Sequence, residues 1–286
     1  MDIIKFLRLI CLILAMAALA ACSDVPEQYA DAEQSEIIYK TVGEVSVGLD
    51  ILYPTRRLHD KNPTVAVIHG GGWVSGSRED FYRDFEPLID RLRAGGVTVV
   101  GITYRLASED NSWRVCLEDC EDALAYLLEH ADEYDIDTEN FGVIGYSAGA
   151  QLALMTSIGA GDQVKYCVSM SAPTTFSAQS DSPYYTETLD YYARQAKIIG
   201  MSIDQYKASP VILVSRRCAT DFLLVNGTAD EVVPACHAEL FCREAESFGL
   251  EVELIEPEGL THSYPHYAGF EDLCREIADR VIVRLK

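Results

Sequence analysis

The clearest candidate for chemistry is the segment 145–149, which reads Gly-Tyr-Ser-Ala-Gly and so has the form Gly-x-Ser-x-Gly. It follows a short apolar run, 141–145, that predicts a strand, and it precedes an apolar run, 151–155, that predicts a helix. A sharp turn from strand to helix needs small neighbours around the serine and exposes its hydroxyl. The same turn directs the amide of Ala148 towards a developing oxyanion. We therefore predict that Ser147 is a nucleophile, the alternative being a glycine-rich turn with a solvated serine.

A second candidate is the segment 69–73, which reads His-Gly-Gly-Gly-Trp and follows the apolar run 64–68. Glycines let backbone amides approach a substrate oxygen where side chains would obstruct them. His69 has the chemistry of a catalytic base, but it comes before Ser147 in the chain and ends a predicted strand. We therefore expect His69 to hold the loop by hydrogen bonding rather than to move a proton.

Together these two segments resemble the α/β-hydrolase esterases of the hormone-sensitive-lipase-like and feruloyl-esterase-like (BD-FAE) groups. The segment 104–107, Tyr-Arg-Leu-Ala, is also similar to that family, which often continues with Pro where this chain has Ser108. The resemblance runs from about residue 37 to the C-terminus. It implies an α/β-hydrolase fold and a reaction that needs no metal and no cofactor.

The resemblance also implies the oxyanion hole, formed by the backbone amides of Gly71, Gly72 and Ala148. In this fold the partners of the serine follow it in the chain, first an acid and then a histidine.

The acid and the histidine are identified by matching positions in this chain with the motifs of the family that it resembles. The loop 227–234 closely matches the family's acid loop, with Asp230 in the acid position and Glu231 as its neighbouring competitor. His262 matches the family's Gly-x-x-His placement, with His266 as the competitor. The implied triad is therefore Ser147, Asp230 and His262.

The elements that must bring these residues together alternate between strand-like and helix-like patterns. Apolar strands separated by amphipathic helices predict a single α/β domain over 36–286, with a mainly parallel sheet covered on both faces. The carboxyl ends of parallel strands share one edge, which explains how residues far apart in the chain meet. Strands are predicted at 37–40, 45–53, 64–68, 96–103, 141–145, 164–170, 222–226 and 252–255, and helices at 81–94, 113–131, 151–155, 234–248 and from 270.

The segment 173–209 breaks this alternation and is rich in Tyr and Ser. We interpret it as a lid or insertion beside the site, where its tyrosines either line a wall for a sugar or aromatic ring or pack in the ordinary way.

The N-terminus carries a targeting pattern. A short basic start and the apolar run 9–21 are typical of a secretory signal peptide, and such a run is shorter than the roughly 20 residues of a membrane-spanning helix. The run ends Leu-Ala-Ala-Cys, which resembles a bacterial lipobox. We predict a signal peptide over 1–21, a lipidated Cys22 and a polar tether over 22–35, the alternative being an ordinary signal peptide with an accidental cysteine. The domain would then be exported and lipid-anchored to a membrane of the bacterial cell envelope.

Composition limits the partners. The chain of 286 residues has 45 acidic and 23 basic side chains, a formal net charge of −22, which excludes a nucleic-acid binder because such proteins need a basic surface. His59, His130 and His237 fall on predicted surface segments and are expected to be solvated. Cys218, Cys236 and Cys242 are the best candidates for disulfides if any form; otherwise the cysteines are small buried apolar residues.

The sequence therefore favours a serine hydrolase that cleaves a small or carbohydrate-linked carboxylic ester, acting at a membrane through its anchor. Two alternatives stay open. One is an amide hydrolase, because His-Gly-Gly-x-Trp also resembles arylformamidases and related folds include peptidases. The other is a lipoprotein that keeps the fold as a non-catalytic binding module.

Overall fold

A single mixed sheet runs through the part of the chain that the computed structural model describes, residues 33–108, 112–176, 205–215 and 218–286. The predicted signal peptide, Cys22 and most of the predicted tether and insertion lie outside the described residues. Within them the strands are β1 (Glu33–Val42), β2 (Val45–Leu52), β3 (Asn62–Ile68), β4 (Thr98–Ile102), β5 (Ile136–Tyr146), β6 (Tyr166–Met170), β7 (Asp221–Val225) and β8 (Val252–Ile255).

The helices of the same ranges are α1 (Arg78–Asp84), α2 (Glu86–Ala94), α3 (Trp113–Glu129), α4 (Ala148–Gly159), α5 (Gln205–Ala208), α6 (Pro210–Leu213), α7 (Cys236–Ser247) and α8 (Phe270–Arg284), with a short 3₁₀ turn at Tyr264–His266. Of these helices, none combines the length and the apolar composition needed to span a bilayer.

The strand order β1-β2-β4-β3-β5-β6-β7-β8 sets the position of the site. β1 and β2 pair antiparallel with their neighbours, and β4, β3, β5, β6, β7 and β8 are parallel to one another. The strand order changes direction at β3, between β4 and β5, and the crevice at such a point is the usual ligand site of an open α/β sheet. The predicted glycine loop follows β3 and the predicted nucleophile follows β5, so both lie at this crevice.

Helices cover both faces of the sheet, as predicted. One face packs against α3, α4 and α7, and the other against α1, α2 and α8. The parallel strands β3 and β4 are buried along their whole length, which explains why they appear in the sequence as unbroken apolar runs. The fold is therefore the predicted α/β-hydrolase fold.

Three of the differences from the predicted boundaries have a structural cause. The helix expected over 81–94 is two helices that meet at Phe85, because Pro87 in the first turn of α2 lacks the amide that a continuous helix would use. β5 begins at Ile136, since that residue pairs with Asn62 of β3. β1 begins at Glu33, inside the segment predicted as tether, and its first residues pair with β2.

One prediction for a histidine is wrong. His59 is exposed and His130 is partly exposed, but the His237 side chain is buried. His237 lies in the first turn of α7, one and two turns before the buried Phe241 and Ala245, and so belongs to the core-facing stripe of that helix.

The seven cysteines of the described ranges are all buried, and Cys218 and Cys242 are free thiols. They act as small apolar residues of the core, which was the alternative to disulfide formation.

Candidate active site

The turn that carries Ser147 has the strained geometry that its sequence predicts. Ser147 has φ 56° and ψ −120°, a left-handed conformation that is rare for residues with a Cβ. A Cβ on Gly145 would lie 2.2 Å from the carbonyl oxygen of Gly149, and one on Gly149 would lie 2.2 Å from that of Ile68. Both glycines are therefore required for α4 to begin directly behind the serine and against the end of β3.

Three side chains from three loops form a continuous hydrogen-bonded chain. Ser147 Oγ lies 2.9 Å from Nε2 of His262, and Nδ1 of His262 lies 2.8 Å from Oδ2 of Asp230. Ser147 follows β5, Asp230 follows β7 and His262 follows β8, so the shared edge of the parallel strands brings them together. A carboxylate on one imidazole nitrogen and a hydroxyl on the other is the arrangement that activates a serine.

The two competing residues are not part of this chain. Asp230, and not its exposed neighbour Glu231, provides the carboxylate that contacts His262. His266 Nδ1 instead lies 3.1 Å from Oγ of Ser263, and its ring is exposed.

Asp230 is buried and its carboxylate is fully hydrogen-bonded. Oδ1 accepts from the backbone amides of Val232 and Val233, at 2.9 and 2.8 Å. Oδ2 accepts from His262 and from the hydroxyl of Ser171, the latter at 2.7 Å. Burial by itself would raise the pKa of Asp230, but these hydrogen bonds and the nearby imidazole outweigh it and hold the pKa below its usual range. The carboxylate is therefore ionised at neutral pH.

The backbone of His262 is also held in place by a hydrogen bond. The hydroxyl of Tyr146, the residue before the nucleophile, donates to the carbonyl oxygen of His262. The two rings lie 5.3 Å apart between centroids. The loop that carries His262 is thus tied to the strand end that carries Ser147.

The glycine loop lies beside the serine. Gly71 and Gly72 have φ +113° and +61°, and a Cβ on Gly71 would lie 2.0 Å from the carbonyl oxygen of Ser75. Gly71, Gly72 and Ala148 line a cavity of about 370 Å³ together with Ser147 and His262. The predicted oxyanion residues and the serine therefore open onto the same space.

His69 holds this loop, as expected. Its Nδ1 donates to the carbonyl oxygen of Gly70 at 2.8 Å, and its ring stacks on Tyr104 with centroids 4.2 Å apart. The Tyr104 hydroxyl donates to the carbonyl oxygen of His69 at 2.9 Å. Burial lowers the pKa of His69, so the ring is neutral.

Sequence reasoning missed Gln151, which is fully buried in α4, one turn after the nucleophile. Its Oε1 accepts from the indole Nε1 of Trp73 at 3.1 Å, and its Nε2 donates to the carbonyl oxygen of Ala208 at 2.9 Å. One side chain thus links the glycine loop, the helix of the nucleophile and the last residues of the predicted insertion. A lone polar residue in the apolar run 148–155 was the available signal.

The two described ends of the predicted insertion meet beside this link. The amide of Phe176 donates to Oγ of Ser209 at 2.9 Å, and the ring of Phe176 lies 5.8 Å from that of Trp73. The rest of the segment, including four of its five tyrosines, lies outside the described residues.

In the described ranges, no group of three or more His, Cys, Asp or Glu side chains is arranged to hold a metal ion.

The sheet order, the strained serine turn and the glycine loop define an α/β hydrolase. Solved structures agree with this fold. A chain described as an arylesterase superposes with a TM-score of 0.73 at 19% identity, covering 92% of this chain and 89% of that one. A truncated carbohydrate esterase from gut microbiota gives a TM-score of 0.69 at 19% identity, covering 91% and 99%. An esterase of Thermogutta terrifontis gives 0.71 at 23% identity, covering 90% and 93%.

The chain belongs to the BD-FAE family, whose model matches residues 49–244. Among curated relatives, an α/β hydrolase of Acanthamoeba polyphaga mimivirus is 30% identical over 165 residues, which are 54% of this chain and 46% of that protein. An acetyl esterase of Salmonella schwarzengrund is 35% identical over 108 residues, 36% of this chain and 32% of the relative. The chain thus spans about a third to a half of the length of these relatives.

Proposed function

We propose that this protein is a serine hydrolase that cleaves carboxylic esters through Ser147, His262 and Asp230. The observation that carries the proposal is the unbroken hydrogen-bonded chain from Ser147 Oγ through the His262 ring to the buried carboxylate of Asp230. Its support is the opening of that serine onto a cavity lined by Gly71 and Gly72.

Each step of the reaction uses a contact already described. Neutral His262 accepts the hydroxyl proton through Nε2 as Ser147 Oγ attacks the ester carbonyl. Ionised Asp230 keeps the other proton on Nδ1 and stabilises the imidazolium that forms. The protonated His262 then donates to the leaving alcohol, and water, activated by the same ring, releases the acid from the acyl-enzyme.

The oxyanion of the tetrahedral intermediate needs donors that are fixed before the reaction begins. We propose the amides of Gly71, Gly72 and Ala148 for this role. Support comes from the loop itself, which is held by the buried His69 on one side and by the bond from Trp73 to Gln151 on the other. A rigid loop needs no reorganisation when charge develops on the substrate oxygen.

We propose small or carbohydrate-linked esters as the substrate class. The cavity of about 370 Å³ at Ser147 is walled by Trp73, Val74 and Val232 and suits a short acyl group. Matched proteins are named as acetyl esterases and as a carbohydrate esterase, and one structure of the Thermogutta terrifontis esterase is described with propionate bound.

The test compares the wild-type protein with Ser147→Ala on p-nitrophenyl esters of increasing acyl length, acetylated sugars, feruloyl esters and N-formylkynurenine. We expect turnover of short-acyl esters, and a loss of kcat on the order of 10⁴–10⁶ in Ser147→Ala. Ser247→Ala, an exposed serine at the end of α7, is the matched control and should keep full activity.

Each other outcome has a distinct meaning. Ester turnover that survives in Ser147→Ala refutes the nucleophile. Turnover of the formamide in preference to every ester means an amide hydrolase, and binding of a sugar or peptide without any turnover means a binding module.

A further inference from the structure

Ser171, the residue directly after β6, lies at the centre of the site although no motif marks it. Its side chain is fully buried, and its φ of 52° is left-handed, as is that of Ser147 at the end of the neighbouring strand β5. The backbone amide of Ser147 donates to the carbonyl oxygen of Met170 at 2.8 Å, and that of Ser171 donates to Val225 at 2.8 Å. The strained conformation of Ser171 is thus fixed between the strand of the nucleophile and the strand of the acid.

The hydroxyl of Ser171 has one proton, and its neighbours decide where that proton goes. Oγ lies 2.7 Å from Oδ2 of Asp230 and 3.2 Å from the hydroxyl of Tyr264. Tyr264 gives its own proton to the carbonyl oxygen of Val225 at 2.9 Å. An ionised carboxylate only accepts hydrogen bonds, so the Ser171 proton points to Oδ2 of Asp230.

Oδ2 is also the atom that His262 contacts through Nδ1. Oδ1 is held separately by the amides of Val232 and Val233. Ser171 is therefore the donor that fixes the second oxygen in the direction of the imidazole and takes up part of its negative charge.

The other titratable groups around Asp230 are either neutral or exposed to solvent. Burial lowers the pKa of His237 of α7 to about 4 and raises the pKa of Tyr264 and of Tyr146 far above neutrality. Glu231 is exposed to solvent. Between pH 5 and pH 9, about the range of an assay, the charge that His262 meets is thus set by the carboxylate and its donors.

We propose that Ser171 is a positioning residue of the triad, whose hydroxyl aims Oδ2 of Asp230 at His262 and moderates its charge. The inference rests on the proposed esterase function. This role differs from packing. Without the hydroxyl, Oδ2 of Asp230 keeps more of its negative charge at its contact with His262, and that charge favours the imidazolium form of the ring.

The test uses two substitutions that separate the hydroxyl from the backbone. Ser171→Ala removes the hydroxyl and keeps a strained left-handed residue, while Ser171→Gly removes the hydroxyl and relieves the strain. The matched control is Ser169→Ala, since Ser169 is buried two residues earlier in β6 and its Oγ has no hydrogen-bond partner in the described structure.

Two measurements are made on the wild type, on both Ser171 variants and on Ser169→Ala. The first is the pH profile of kcat/KM on a short-acyl ester. The second is the NMR titration of the His262 ring in protein labelled with ¹⁵N-histidine, its signal assigned by its loss in His262→Gln. We expect Ser171→Ala and Ser171→Gly alike to lower kcat/KM about 10-fold. Both variants should move the acid limb of the kcat/KM profile, and the midpoint of the NMR titration, to higher pH by about half a pH unit or more.

The proposal is overturned if the NMR midpoint is the same in both variants and the wild type, or if glycine alone restores wild-type behaviour. Ser169→Ala should match the wild type in both measurements, and an equal shift there would also overturn it. A wild-type protein without ester turnover would refute the proposed function, and the NMR titration would still decide the role of Ser171.

Discussion

At the scale of single residues, the site depends on polar side chains that are buried and fully paired. Asp230 stays ionised in the interior because four donors surround it. His237, in contrast, is buried without a charge, because burial keeps its ring neutral. Its Nδ1 accepts from the amide of Thr174 at 3.2 Å, and its carbonyl oxygen accepts from the Thr174 hydroxyl at 2.6 Å. His237 thereby anchors the chain where it enters the predicted insertion.

This burial predicts an acid-sensitive fold. Burial lowers the pKa of His237 to about 4, against an unfolded value near 6.5, so its contribution to stability is complete above pH 6.5. That contribution is lost as the pH falls from about 6.5 towards 4, by about 3 kcal/mol in total. His69 acts in the same direction because its pKa is also lowered by burial, whereas Asp230 acts only at lower pH.

Urea unfolding between pH 4 and pH 8 measures this effect. His237→Asn keeps an acceptor in place of Nδ1 but does not titrate, so its free energy of unfolding should fall less steeply below pH 6.5. His59→Asn, at an exposed histidine, should keep the wild-type slope. Equal slopes in the wild type and His237→Asn would contradict the assignment.

At the scale of elements, α4 is the part on which the site depends most. It carries Ser147 at its start and Gln151 one turn later, and it is buried from Ala148 to Ser157 between the sheet and α3. Its close approach to β3 depends on Gly149, whose missing side chain leaves room for the carbonyls of Ile68 and His69.

A methyl group at that point should separate the nucleophile from the glycine loop. In Gly149→Ala the Cβ would lie 2.2 Å from one backbone oxygen and 2.3 Å from the other, so α4 must shift. We expect a loss of about 2 kcal/mol or more in stability, together with most of the proposed esterase activity. The matched control is Gly159→Ala at the other end of α4, where the Cβ would meet only the flexible Glu121 side chain at 3.3 Å.

Gly159→Ala should keep wild-type activity and lose no stability, because alanine favours a helix more than glycine does. Thermal unfolding and ester turnover of the two variants provide the comparison. Similar behaviour of both would mean that the contact between α4 and β3 is not what holds the turn.

The sequence was most informative where structure is local. The strands were predictable from their apolar runs, and the serine turn and the glycine loop were predictable from their small residues. The break at Phe85 and the early start of β5 depend on a single proline and on pairing with Asn62, which periodicity does not show. Gln151 and Ser171 were missed because their partners, Ala208 and Asp230, are 57 and 59 positions away in the chain.

At the scale of the whole molecule, the net charge and the predicted lipid anchor have opposite effects on how near the domain lies to a membrane. A formal charge of −22 repels an anionic bilayer over a distance of about 8–10 Å at physiological ionic strength. We expect a lipid on Cys22 to hold the protein at the membrane while this charge keeps the domain from lying on it. The first described element, β1, begins at Glu33, so about ten residues lie between Cys22 and the first strand.

Labelling of the full chain with radioactive palmitate in a bacterial host tests the anchor. We expect label and membrane fractionation in the wild type, and loss of both in Cys22→Ala. Cys11→Ala changes the other cysteine of the N-terminal apolar region and should label like the wild type. Equal labelling of the wild type and Cys22→Ala would contradict the lipobox interpretation.

The hydrogen bond between Phe176 and Ser209 has a consequence for how the chain between them can vary in length. The two residues are 33 positions apart in the chain, and they meet next to Trp73, which also lines the cavity at Ser147. Closing a longer loop between two fixed points costs only about 0.6 kcal/mol for each doubling of its length. The length of the chain between these two residues can therefore change at little cost in loop closure and without altering the register of any strand.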